Sequence, residues 1–218
     1  MCPTLLRRTA SLSVAGSSGV TGTLRVGVLA LQGDFREHLA VLGALGAVAT
    51  PIRRAAELED IDGLVIPGGE SSVMDKLARA FDLAAPLRAA IDKGLPVYGT
   101  CAGLILLADT VLDSIAGQQS FGGLDVTVRR NAFGSQVDSF ETDLAIPVLG
   151  ERPVHAVFIR APIVESVGKR ATALAALDDG RVVAVEQGNL LGTSFHPEVT
   201  GDFRFHEYFL RKVAASVS

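Results

Sequence analysis

The chain has 218 residues, 48% of them hydrophobic and 20% charged, with a formal net charge of -4. That is enough chain for one sizeable core, cramped for two domains, and not a disordered composition. The mild acidity argues against a nucleic-acid binder resting on a basic surface, and no apolar run is long enough to suggest a membrane span.

Residues 1–22, MCPTLLRRTASLSVAGSSGVTG, hold no acid and are rich in Ser, Thr and Gly. They lack a continuous apolar segment of secretory type. They are expected to be a disordered extension, or to reflect a start placed too far upstream. The globular part is expected to span 24–214. It opens on LRVGVLAL (24–31), a near-continuous apolar run of the kind that forms a strand buried on both faces of a parallel sheet. A helix follows from Phe35 to Leu45, with Phe35, Leu39, Leu42 and Leu45 on one stripe and Gly46 as its stop. AVATPI (47–52) and GLVIPGG (63–69) read as further strands, the second ending in a Pro-Gly-Gly turn. Helices are predicted over Ser72–Ala80 and Leu83–Lys93, then a strand over LPVYG (95–99), after which LILLA resumes a helix.

Alternation of this kind predicts an α/β fold with a parallel sheet and crossover helices. The second half changes texture: LDVTVRR, DSFETDL, VHAVFIRA, RVVAVEQ and LLGTSF are short strand-like runs. They are expected to add antiparallel strands that extend or cover the same sheet. A helix within 201–214 closes the chain, with Phe205, Tyr208, Phe209 and Val213 on its apolar stripe. The expected architecture is a single-domain three-layer sandwich, its mostly parallel central sheet flanked by helices on both faces.

The two cysteines, Cys2 and Cys101, are poorly placed to pair, which fits a reducing cytoplasm. His38, His155, His196 and His206 are scattered, and no spacing suggests a zinc site or another metal. In open α/β sheets, ligands gather beyond the carboxyl ends of the strands. Three unusual turns fall there: QGD, PGGESS and GTCAG. The last has the form G-x-C-x-G, the cysteine version of a nucleophile elbow, in which the flanking residues must be small. Taken alone, Cys101 reads first as a small buried hydrophobe. Far downstream, FHPE places His196 and Glu198 two apart around Pro197, so that Glu198 can orient the imidazole and leave its other nitrogen to Cys101. The N–H groups of Gly69 and Ala102 are the candidate oxyanion donors. The alternative for PGGESS is an ordinary turn into a helix capped by Ser71 or Ser72.

In this order, PGG, G-x-C-x-G and HPE resemble the class I glutamine amidotransferases, a flavodoxin-like family. The phrases GVLALQGDFREH, LVIPGGESS, YGTCAGLILLA, RRNAFGSQVDSFE, FIRAP and FHPEVTGD resemble more narrowly the glutaminase subunits of pyridoxal 5′-phosphate synthase. The resemblance implies hydrolysis of L-glutamine to glutamate and ammonia by Cys101, His196 and Glu198. It places substrate contacts on Gly69, Glu70, Ser71, Arg130, Ile159 and Arg160, and calls for no cofactor. It further implies delivery of ammonia to a barrel-shaped synthase subunit in a large hetero-oligomer, with activity that depends on docking and QGDFREH as a docking segment. Ser72 stands where the family commonly has threonine, and Ser135 where it often has arginine. Glutaminases serving other synthases share the triad, and some cysteine hydrolases share the elbow. RRNAFGSQVDSFE disfavours the former and the late HPE disfavours the latter. A non-catalytic subunit retaining the fold is a third alternative.

Overall fold

The structure, a computed structural model, describes residues 23–130 and 139–218; the extension expected at 1–22 and Ser135 lie outside them. The first half runs β1 (Arg25–Leu29), α1 (Phe35–Ala44), β2 (Val48–Ile52), β3 (Gly63–Ile66), α2 (Ser71–Ala80), α3 (Ala84–Asp92), β4 (Val97–Thr100) and α4 (Ala102–Leu107). The second half runs β5 (Ala108–Leu112), β6 (Leu124–Arg129), β7 (Ser139–Leu144), β8 (Val154–Ile159), β9 (Ile163–Val167), β10 (Thr172–Ala176), β11 (Val182–Gln187), β12 (Leu190–Thr193) and α5 (Arg204–Ser216).

The main sheet has the order β2-β1-β3-β4-β12-β11-β9-β6-β5, with β10 paired to β11. Its first five strands are mutually parallel. Their apolar runs are continuous because both faces are covered. Leu29, Leu64, Ile66 and Val97 face a core completed by Met74 and Ala78 of α2, Leu87 and Ile91 of α3, and most of α4. Val26, Val28, Val65 and Tyr98 face the other core, against Leu42 of α1 and Phe205, Phe209 and Val213 of α5. Helices cover both faces of a mixed sheet whose parallel block lies at one end, the α/β sandwich expected from the sequence except that LLGTSF, expected as an added antiparallel strand, joins that block beside β4.

Three strands escape the sequence pattern. LILLA does begin a helix, but α4 lasts six residues and passes straight into β5. Leu106 accepts the N–H groups of Phe121 (2.6 Å) and Gly122 (3.2 Å), so a returning segment occupies its carbonyl where further helix would have done so. No glycine or proline marks that end. β9 and β10 lack clean period-2 burial, and β10 meets β11 through register irregularities. β7 and β8 form a separate antiparallel ribbon. Its Leu144, Val154, Ala156 and Phe158 cover the same core face as α5.

The buried faces of α1 and α5 differ from their predicted apolar stripes in the same way. Each buries a histidine completely, His38 and His206, and the two rings meet with His38 Nδ1 2.9 Å from His206 Nε2. Burial pushes the His206 pKa down to about 4, whereas the unfolded chain titrates near 6.5. Between those values the unfolded state binds more protons, so folding stability falls as the pH drops through this window. The thermal unfolding midpoint of His206→Leu is therefore expected to fall less steeply than that of the unmodified protein between about pH 7 and about pH 4.5.

Candidate active site

The elbow is built by steric exclusion. Cys101 follows β4 and caps α4 with φ 49° and ψ -102°, a conformation rare outside glycine. A Cβ on Gly99 would lie 2.5 Å from the carbonyl carbon of Gly103, and one on Gly103 would lie 2.0 Å from the carbonyl oxygen of Ile66. Strand, turn and helix can touch only because both positions lack side chains. The Cys101 N–H donates to Thr193 O at the end of β12 (2.7 Å), and Sγ lies 4.0 Å from Ile159 O at the end of β8.

His196 and Glu198 come together as the spacing predicts, across a 3-10 turn. Pro197 is the first residue of a 3-10 turn (Pro197–Val199), and His196 is its N-cap, at φ -110° and ψ 84°. Proline suits that position because its missing N–H would have no partner there. The His196 N–H is held by Val157 O of β8 (2.9 Å). Its Nδ1 lies 2.7 Å from Glu198 Oε1, and both side chains are buried. With Nδ1 engaged, the other ring nitrogen is left for Cys101. Burial alone would lower the His196 pKa. Hydrogen bonds and electrostatic attraction from Cys101 and Glu198 outweigh it and raise the value to about 10, so the imidazolium is favoured at neutral pH.

Half-exposed Asp34 places Oδ2 3.7 Å from the same Nδ1. The ligating atoms of Asp34, His196 and Glu198 lie within 4.8 Å of one another. Because Nδ1 already donates to Glu198, the group is a hydrogen-bonded acid–imidazole pair rather than an open ligand set.

Gly69 has φ 150°, and a Cβ there would meet Gln32 Oε1 at 2.5 Å. The same Gln32 oxygen accepts the Glu70 N–H (2.7 Å), and the Asp34 N–H donates to Gly68 O (3.1 Å). The QGD loop is thereby stitched to the Pro-Gly-Gly turn. Ala102 is the first residue of α4, so its N–H has no intrahelical acceptor. The cap of α2 is Glu70 rather than either serine: Oε1 accepts the Ser72 N–H (3.3 Å) and hydroxyl (3.0 Å).

Arg130 is nearly buried and donates to Glu70 Oε1 (2.7 Å) and Gln118 Oε1 (2.9 Å). The amide nitrogen of Gln118 donates to Ser71 Oγ (3.0 Å). Glu70, Ser71 and Arg130 are thus joined through a residue that sequence reasoning missed, because nothing local distinguishes Gln118 within its loop. Ile159 ends β8 beside Cys101 and Arg160 follows it; both are exposed, and Arg160 has φ 44°. β3 and β4 are neighbours, so the glycine turn and the elbow share the carboxyl edge of the sheet. The edge thus gathers a thiol, an imidazole bonded to a carboxylate and the N–H of Ala102 at the start of α4, groups of the kinds that acyl transfer uses.

The model of the SNO glutamine amidotransferase family matches residues 28–215. A pyridoxal 5′-phosphate synthase subunit PdxT from Leifsonia xyli subsp. xyli is 74% identical over 91% of this chain and 100% of its own length. The subunit of that name from Clavibacter michiganensis subsp. michiganensis is 70% identical over 86% of this chain and 90% of its own. A crystal structure titled as a glutamine amidotransferase superposes with a TM-score of 0.81 at 45% identity, covering 87% of this chain and 98% of that one.

Proposed function

We propose, from the premise that this chain belongs to the SNO glutamine amidotransferase family, that it is the glutaminase subunit of a pyridoxal 5′-phosphate synthase. It hydrolyses L-glutamine and supplies the ammonia for pyridoxal phosphate synthesis. The observation that carries the mechanism is the 2.7 Å bond between His196 and Glu198 beside a cysteine held at φ 49°.

In this reading the Cys101 sulfur attacks the side-chain carbonyl carbon of glutamine. The N–H groups of Gly69 and Ala102 receive the oxyanion. The imidazolium of His196 protonates the departing nitrogen, the C–N bond breaks, and ammonia leaves a glutamyl thioester. His196, now neutral, takes a proton from water, whose hydroxide displaces the sulfur and gives glutamate. Glu198 holds the imidazole in the tautomer that both steps need. Glu70, Ser71, Arg130, Ile159 and Arg160 hold the substrate; a guanidinium is suited to the bidentate grip of its α-carboxylate.

A barrel-type synthase subunit is the proposed recipient of ammonia, in a hetero-oligomer that works in the cytoplasm with no cofactor on this chain. A free cysteine at the reacting position fits a reducing compartment, and no helix among the described residues is long and apolar enough to cross a membrane. QGDFREH (32–38) is the proposed docking segment, since through Gln32 it touches the turn that carries Gly69.

Ammonia release from glutamine, measured with and without the synthase subunit, tests this reading. Activity is expected to rise on addition of the partner. Absence of ammonia in both conditions would refute the glutaminase assignment. A partner synthase of another pathway would refute only the pyridoxal assignment. Gln118→Ala is expected to raise KM for glutamine by about fivefold with kcat little changed, since it frees Arg130 and Ser71 from a preset arrangement. Steady-state kinetics in the complex provide the check.

A further inference from the structure

The mechanism uses one oxygen of Glu198 and leaves the other unexplained. Oε1 pairs with His196, whereas Oε2 is buried and has no hydrogen-bond partner among the described residues. An ionised oxygen stripped of water is costly unless something of opposite polarity faces it. The group that faces it is His38, whose Nε2 lies 3.6 Å away, with both side chains fully buried.

The two histidines have a tautomer that their surroundings select. His38 Nε2 lies 3.1 Å from Thr100 Oγ1, and its Nδ1 lies 2.9 Å from His206 Nε2. The remaining nitrogen, His206 Nδ1, is buried without a partner. If His38 carries its proton on Nε2, the N–H bonds Thr100 and turns its positive end toward Glu198. His206 Nε2–H then donates to His38 Nδ1, and the orphan at His206 is a lone pair. The opposite tautomer points a lone pair at a carboxylate and strands a buried N–H. The first arrangement wins on both counts. Burial, with the neighbouring His206 and His196, holds the His38 pKa well below the usual imidazole range, so the ring is neutral.

We infer that His38 is a positioning residue for the glutaminase reaction proposed above: its Nε2–H, bonded to Thr100, turns its positive end toward the Glu198 carboxylate and favours the orientation that keeps His196 on Cys101, and His206 holds His38 in the required tautomer. The inference rests on that reading of the triad. It gives a chemical role to a buried line that runs from α5 through α1 to the base, one that a merely space-filling pair would not need. Thr100, which also bonds His38, is the residue before the nucleophile, so one side chain touches the supports of both ends of the triad.

The test compares His38→Gln with His38→Asn in the full chain. Both are buried amides, but glutamine brings its N–H close to the Nε2 position and asparagine to the Nδ1 position. Two readouts are taken: kcat and KM for glutamine with the synthase subunit present, and the pH dependence of Cys101 alkylation by iodoacetamide in the free chain, resolved from Cys2 by peptide mass spectrometry. His38→Asn is expected to lose about tenfold to a hundredfold in kcat with KM nearly unchanged, on the scale of outer-shell partners elsewhere. Its alkylation midpoint should move to higher pH, while His38→Gln stays within about threefold of the unmodified rate. Equal behaviour of the two variants in both readouts would overturn the inference, whether both are active or both impaired. If neither folds, His206→Leu decides: a fall in kcat at constant KM with the alkylation midpoint moved upward supports it, and an unchanged profile overturns it. Should the unmodified protein release no ammonia at all, the glutaminase reading fails, yet the alkylation profiles still report whether His38 acts on the triad.

Discussion

Cys101→Ala is expected to reduce glutamine hydrolysis to background, a loss of roughly a million-fold in kcat, as when the nucleophile of a comparable triad is removed. The substitution deletes one largely buried sulfur. The backbone bond from residue 101 to Thr193 O is untouched, and Gly99 and Gly103 keep the turn. The protein should therefore fold, bind glutamine and dock to its partner, with a thermal midpoint close to that of the parent. Ammonia production in the complex, set against a buffer blank, is the measurement. A rate within a hundredfold of the parent would mean that the bond is broken elsewhere.

Glu198→Gln should cost about 10³- to 10⁴-fold in kcat, less than loss of the nucleophile and far more than a surface change. The amide matches the carboxylate in size and can still accept from Nδ1, so the geometry of the 2.7 Å contact can survive. What disappears is the negative charge. Glu198 is among the causes that hold the His196 pKa near 10 against the opposing effect of burial, and without it the imidazolium is less favoured. The acid that must protonate the leaving nitrogen is then scarcer and less well aimed. KM should change little, because the Arg130 cluster proposed to hold substrate is built on other residues. Steady-state kinetics and a pH profile of kcat test this together. A profile that coincides with the parent's would deny Glu198 its role.

These two residues also show what could be read before any coordinates. Their types, their order and the glycines around Cys101 encode a local requirement, since close approach without side chains is written in the residues that make it. The apolar runs of β1, β3, β4 and β12 were legible for a similar reason, each being buried on both faces. Gln118 and His38 were not legible as site residues. Gln118 acquires meaning only from Ser71, 47 residues away, and from Arg130. His38 interrupts an apolar stripe, and the reason is His206, 168 residues later. The strands β5, β9 and β10 were missed because irregular pairing and a missing stop signal blur the period on which such reading depends.

The strand order carries a consequence for how the protein is made. β4, which leads into Cys101, pairs on one side with β3 and on the other with β12, the last strand among the described residues. As the polypeptide leaves the ribosome, β4 and Cys101 emerge some ninety residues ahead of the strand that closes over them. Until then β4 presents an open edge able to pair with another molecule, and Cys101 lies without His196. A chain cut short before residue 190 would keep Cys101 and most of its parallel block, but with one edge of β4 open and without His196. The two halves of the proposed site therefore meet only once β12 has paired with β4.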